Sequence, residues 1–183
     1  MRFKRDPKFP RQFAVLFGSG IFFALGVMLI LNNLQRWGFY RNLTASLPEG
    51  LYQIVQPGKS NIIVFCPTGF ASAFSIERGY RLTGNCPDGH APLLKPIAAQ
   101  AGDTVKVQPT GIYVNGNRLP KSQQYTIDSL HRPLPRYPAG TYTVRQGTAW
   151  VISSYSSTSF DSRYYGPINL NEVVHYVKPY ATY

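Results

Sequence analysis

This chain is poor in the residues that build metal and histidine-based sites. It has two cysteines and three histidines in 183 residues. Cys86-Pro-Asp-Gly-His90 sets a histidine near a thiol. A structural zinc site takes four ligands, and no fourth is evident, so a metal is set aside. His90, His131 and His175 have nothing around them that resembles a nucleophile turn, which leaves a Ser-His pair without support. No internal repeat is visible. No base-stacking motif accompanies the basic charge, so a nucleic-acid partner is not expected.

One stretch lacks charge altogether. Phe13 to Leu31 is uncharged throughout, and a helix crossing the hydrocarbon core needs about 20 such residues. A cleaved signal peptide is the competing reading. Its usual small-residue cleavage site is missing from Leu31-Asn-Asn-Leu-Gln-Arg36, and the run is longer than a typical apolar region of such a peptide. The division expected is a basic tail over 1–12, a membrane helix over 13–31 and a folded domain over 32–183. Arg2, Lys4, Arg5, Lys8 and Arg11 precede the run, while only Arg36 and Arg41 follow it closely. The positive-inside rule then puts the N-terminus in the cytoplasm and the domain outside. Of the net charge of +11, residues 1–11 hold five basic side chains and Asp6, which leaves +7 on the rest; this would either draw the domain towards anionic lipid or serve only as a soluble basic surface. Trp37, Phe39 and Tyr40, within Asn32 to Tyr40, suit an interfacial segment. In an oxidising compartment the isolated Cys66 and Cys86 are best read as a disulfide.

Beyond the anchor, alternation and β-branched or aromatic residues predict strands over Leu51 to Val55, Ile62 to Phe65, Leu93 to Ile97, Thr104 to Gln108 and Ile112 to Val114. Later strands are expected over Thr141 to Arg145, Ala149 to Ser153 and Val173 to Val177. Asn115-Gly116 is a hairpin turn, since both residues tolerate positive φ. One helix is expected over Phe70 to Arg78, closed by Gly79. His131 to Gly140 reads as an extended loop and Ser153 to Ser159 as a serine-rich turn. The fold class is therefore mainly β, an antiparallel domain on a single N-terminal transmembrane helix.

Three clusters carry possible chemistry. Ser46-Leu-Pro-Glu-Gly50 matches a capping box in its Ser46 and Glu49, but strand rather than helix follows. In the alternative reading Pro48 and Gly50 shape a turn that exposes the Ser46 hydroxyl, with Thr44 aimed at the same centre. Lys95 shares a strand face with Leu93 and Ile97. Either it is desolvated there, with its pKa lowered, or it lies at a sheet edge with its head in water. A neutral lysine is a competent base for a serine nucleophile. Asp161 and Arg163 form a third cluster in a hydroxyl-rich turn, where they could orient a catalytic amine. An exposed pair of this kind is energetically minor.

Together these residues resemble the type I signal peptidases, the Ser-Lys membrane proteases. Ser46-Leu-Pro-Glu-Gly50 is similar to the nucleophile box, with Leu47 for the usual methionine. Leu94-Lys95-Pro96-Ile97 with Gly102-Asp103 is similar to the lysine box, and Ser159-Phe-Asp161-Ser-Arg163 to the last box. Cys66-Pro67, Glu77-Arg-Gly-Tyr80, Gly84-Asn-Cys86-Pro-Asp-Gly89 and Gly111-Ile-Tyr-Val-Asn-Gly116 resemble the conjugative-transfer branch, the TraF type. One departure stands before the last box. General leader peptidases carry Gly-Asp-Asn-Arg there, and this chain has Ile152-Ser-Ser-Tyr-Ser-Ser157.

The resemblance implies a signal-peptidase-like fold and a set of roles. Ser46 would be the nucleophile and Lys95 its base. The Ser46 N–H and the Thr44 hydroxyl would form the oxyanion hole. Ser159 would hold the Lys95 amine, with Asp161 and Arg163 bracing the turn. No metal or organic cofactor is implied. The implied substrate is a pilin precursor, trimmed or cyclised for conjugative transfer at the bacterial inner membrane, with the catalytic domain periplasmic. The implied partners are the preprotein, the lipid bilayer and other components of the transfer machinery. A general leader peptidase and a non-enzymatic scaffold of the transfer apparatus are the alternatives.

Overall fold

The computed structural model describes residues 23–30 and 38–183. The chain divides into two compact units, Met1–Gly38 and Phe39–Tyr183. In the first, residues 23–30 form a helix, α1. The expected basic tail, the rest of the expected span and Asn32 to Trp37 lie outside the described residues. Among the described residues no helix is long and apolar enough to cross a membrane.

The second unit is built from antiparallel strands. They are β1 (Phe39–Asn42), β2 (Gly50–Val55), β3 (Ile62–Phe65), β4 (Leu93–Gln100), β5 (Thr104–Gln108), β6 (Gly111–Val114), β7 (Asn117–Arg118), β8 (Gly140–Thr143), β9 (Thr148–Val151), β10 (Ile168–Asn169) and β11 (Val173–Thr182). Two α-helices interrupt them, α2 (Gly69–Glu77) and α3 (Ser162–Tyr165), and a 3-10 turn over Leu170–Glu172 precedes β11. Among the described residues one sheet runs β1-β2-β11-β3-β4-β9-β10 and a smaller one β7-β6-β5-β8.

The apolar run Ile62-Ile-Val-Phe65 explains why β3 sits inside the large sheet. Successive strand residues face opposite ways, and both faces of β3 are covered. Val64 joins Leu47, Tyr52, Leu94 and Val177 on one side. Ile63 and Phe65 join Ala149, Val151 and Ile168 on the other. The same alternation in β9 turns Trp150 away from Ala149 and Val151, into the core beneath the small sheet with Val105, Val107 and Ile112. A register shift in β4 between Ile97 and Ala99 re-aims that strand, so Ala99 reaches this same core.

Several expected boundaries move for local reasons. Of the aromatic residues expected at the membrane interface, Phe39 and Tyr40 begin β1, with Tyr40 opposite Tyr52. Tyr40 packs on the Leu47 core, and Phe39 meets Tyr180 edge to face at 4.9 Å. The strand expected to reach Ser153 stops at Val151, because the Ser153 N–H donates to the Asp161 carboxylate at 3.0 Å rather than to a neighbouring strand. β11 runs five residues past its expected end at Val177, to Thr182, and pairs with β2 along that extension. The helix forms over Gly69–Glu77 with Arg78 as its C-cap. Asn115 and Gly116, with φ of 50° and 83°, make the hairpin between β6 and β7.

Candidate active site

The loop carrying Ser46 is the connection between β1 and β2, closed at its base by the pairing of Asn42 with Gly50. No helix follows Ser46, so the capping-box reading is set aside. Asn42, 2% exposed, fills the loop from inside. Its Nδ2 donates to the carbonyls of Thr44, Leu47 and Pro48 at 2.9, 3.1 and 3.0 Å. Its Oδ1 accepts the Thr44 N–H at 3.1 Å and the Thr44 hydroxyl at 2.9 Å. Tyr52 donates its phenol to the Pro48 carbonyl at 2.7 Å, and Leu47 is buried in the core below. Ser46 itself stays half-buried, within reach of a substrate.

Lys95 comes to this loop from β4, opposite Ile63 of β3. With β9 on its other side, β4 is an interior strand and Lys95 is 2% exposed. The edge-lysine reading is thereby corrected. Lys95 Nζ donates to Ser46 Oγ and to Ser159 Oγ at 2.9 Å, while the two hydroxyl oxygens lie 3.5 Å apart. Burial pushes the Lys95 ammonium down to about 8. The Asp161 charge pulls it up and the Arg163 charge pushes it down. A buried amine held against a serine hydroxyl, and protonated only part of the time near neutrality, is suited to taking that hydroxyl's proton.

The Asp161–Arg163 pair is buried, so the reading as a minor exposed pair does not apply. Asp161 and Arg163 are both inaccessible to solvent and share two hydrogen bonds of 2.8 Å. Arg163 spends its remaining donors on the carbonyls of Lys121, Ser156, Ser157 and Ser159. Asp161 caps α3 by accepting the Arg163 N–H. This short helix ends at Gly166, whose φ is 78°. The pair therefore fixes the backbone on which Ser159 stands.

Two residues of the site went unread in the sequence. Ser153, fully buried, donates its hydroxyl to the Ser46 carbonyl and accepts the N–H groups of Tyr155 and Ser156. Nothing distinguishes it in a serine-rich turn. Asn42 did leave a signal, since an asparagine two residues before a hydroxyl residue is an Asx-turn pattern.

Cys66 and Cys86 are joined in a disulfide, so neither sulfur is free for a metal. Their loop contains α2, and Phe74 of α2 stacks on Phe160 of the last box at 5.5 Å. Arg81 of that loop pairs with Asp88, two residues beyond Cys86, at 2.7 Å. His90 meets the Asp88 carbonyl through Nδ1 at 2.9 Å. Among the described residues no group of three or more His, Cys, Asp or Glu side chains is placed to hold a metal ion.

Residues 14–180 match the family described as signal peptidase, peptidase S26. A plasmid transfer protein TraF of Escherichia coli is 37% identical over 146 residues, covering 78% of this chain and 82% of that one. A probable conjugal transfer protein TraF of Sinorhizobium fredii is 33% identical over 153 residues, covering 80% of this chain and 79% of its own. A solved signal peptidase I from Enterococcus faecalis aligns with 67% of this chain and 97% of its own, at 22% identity and a TM-score of 0.36.

Proposed function

We propose that this chain, which belongs to the signal peptidase family, peptidase S26, is a serine endopeptidase working through a Ser46–Lys95 dyad. The observation that carries the reading is the buried Lys95 amine donating to Ser46 Oγ. In the reactive state neutral Lys95 accepts the Ser46 proton as Oγ attacks the scissile carbonyl. The Ser46 N–H and the Thr44 hydroxyl receive the developing oxyanion. Removing one such donor typically costs about 10² to 10³ in rate. Lys95 then returns the proton to the leaving amine, and the acyl group remains on Ser46. Water resolves that ester in cleavage. An amine of the same substrate resolves it in cyclisation.

The relatives described as plasmid and conjugal transfer proteins support a substrate used in conjugation, a pilin precursor. The uncharged run Phe13 to Leu31, helical over 23–30, supports an anchor in the bacterial inner membrane. The disulfide supports a catalytic domain in the oxidising periplasm, where the bilayer and the transfer machinery would be its partners.

Mass spectrometry of the pilin precursor co-expressed with wild type or Ser46→Ala tests this. Trimming by wild type alone supports the dyad, and a further loss of one water identifies ring closure. The same mature product with both proteins would overturn the peptidase reading in favour of a scaffold.

A further inference from the structure

The Thr44 hydroxyl, needed as an oxyanion donor in the reading above, has a partner in the resting enzyme. Its proton goes to Asn42 Oδ1 at 2.9 Å. A hydroxyl has one proton to give, so Thr44 can serve the oxyanion only by turning away from Asn42. That turn is inexpensive if the acceptor it leaves stays satisfied, because an orphaned buried polar atom is what costs energy. Asn42 Oδ1 meets this condition, since it also accepts the Thr44 N–H at 3.1 Å.

The other end of the amide fixes what must not move. Asn42 Nδ2 reaches the carbonyls of Thr44, Leu47 and Pro48, which stand on both sides of Ser46. One buried side chain therefore holds the backbone of the nucleophile turn rigid and parks the Thr44 hydroxyl beside it. Asn42 ends β1, pinned opposite Gly50, so its position is set by the sheet rather than by the loop.

We infer that Asn42 is a positioning residue of the reaction, which stores the Thr44 hydroxyl in the resting state and releases it to the oxyanion while keeping the Ser46 turn in place. The inference rests on the Ser46–Lys95 reading. Neither asparagine oxygen nor nitrogen touches the substrate in it; Asn42 acts through Thr44.

A double-mutant cycle on the full chain tests it, using Asn42→Asp and Thr44→Val with an internally quenched peptide substrate. Asn42→Asp leaves an acceptor on Thr44 that is charged and grips the hydroxyl, and it removes the donors to the three carbonyls. It should lower kcat by roughly tenfold or more, within the range of a lost oxyanion donor, with KM little changed. In the Thr44→Val background, where there is no hydroxyl to release, the same change should cost at least about threefold less than in wild type, what remains being the loss of the amide's bonds to the three carbonyls, since residues acting as one unit are non-additive. Equal losses in both backgrounds would reduce Asn42 to a structural residue and overturn the inference. So would full activity of Asn42→Asp. Asn42→Ser carries the same cycle should the aspartate variant melt below the assay temperature. Turnover by Ser46→Ala would instead overturn the dyad on which the inference stands, and an inactive Ser46→Ala beside a fully active Asn42→Asp would overturn the inference alone.

Discussion

Ser153 donates its hydroxyl to the carbonyl of Ser46, a residue 107 positions earlier in the chain. The Ser153 N–H is bound in turn by the Asp161 carboxylate, and Asp161 by Arg163. Ser46 is thus tied through one buried side chain to the ion pair that also shapes the Ser159 turn. Ser153 lies within Ile152 to Ser157, the stretch that departs from the Gly-Asp-Asn-Arg of general leader peptidases.

Activity should rise with pH. Lys95 is pushed down to about 8, and only its neutral form accepts the Ser46 proton. The value of kcat/KM should therefore fall about tenfold per pH unit on the acid side of that point and level off above it. Lys95→Arg should show no turnover at any pH tested, because a guanidinium keeps its proton. A pH profile of both proteins checks this.

The same shift makes a prediction about stability. Lys95 titrates near 8 when folded against a reference of 10.5, so the ammonium is the disfavoured form in the native state. Below about pH 8 the native state carries the full penalty. Between about 8 and 10.5 the unfolded chain binds the proton and the native one does not, so stability rises with pH. Relative to Lys95→Met, wild type should gain on the order of 3 kcal/mol between pH 7 and pH 11. Urea unfolding of both proteins at the two pH values measures it.

Asp161→Asn should be costly twice over. It leaves the buried Arg163 guanidinium without its counter-charge, and breaking a buried pair from one side costs about 3–5 kcal/mol. It also withdraws the negative charge that supports the Lys95 ammonium. The pH limb of the remaining activity should move to more acid values. Denaturant titration and the pH profile read the two effects separately.

Much of this was legible in the sequence because strand alternation and special turn residues act locally. The strand Thr104 to Gln108 and the Asn115-Gly116 hairpin appear where the pattern puts them. The assembly of Ser46, Lys95 and Ser159 was legible only as a resemblance of three boxes, since nothing local brings β4 to the β1–β2 loop. The burial of Lys95 and of the Asp161–Arg163 pair was not legible, because it depends on which strands flank β4 and on the loops that cover α3. That Tyr40 packs on a sheet core was not legible, because an aromatic residue suits a headgroup region and a sheet core equally well. Ser153 could not be picked from its serine-rich neighbours, since its role is set by a contact 107 residues away.

Loss of the disulfide should reach the site. A loop of 20 residues is worth roughly 3 kcal/mol in the chain-entropy model. The loop also carries Phe74, which stacks on Phe160 between Ser159 and Asp161. The double variant Cys66→Ser with Cys86→Ser should unfold at a lower urea concentration and lose activity at temperatures where wild type is fully active. Parallel melts and rates check the coupling.

Gly50 gives the sharpest steric prediction. It closes the Ser46 loop opposite Asn42, with φ at +133°, and a Cβ there would lie 2.2 Å from the Ala181 carbonyl oxygen. That atom is backbone of β11, in the stretch that pairs with β2, so it cannot swing aside as a side chain would. Gly50→Ala must therefore strain the backbone, separate β2 from β11, or both. Strain of this kind costs of order 1–3 kcal/mol, and the displaced strand end would carry the Ser46 turn with it. The variant should have a lower Tm and a reduced kcat, whereas Gly58→Ala, at a glycine with φ +79° and open space around its Cβ, should lower Tm slightly and leave kcat unchanged. Thermal melts and steady-state rates of the two variants separate a steric block at the loop base from the general cost of replacing a left-handed glycine.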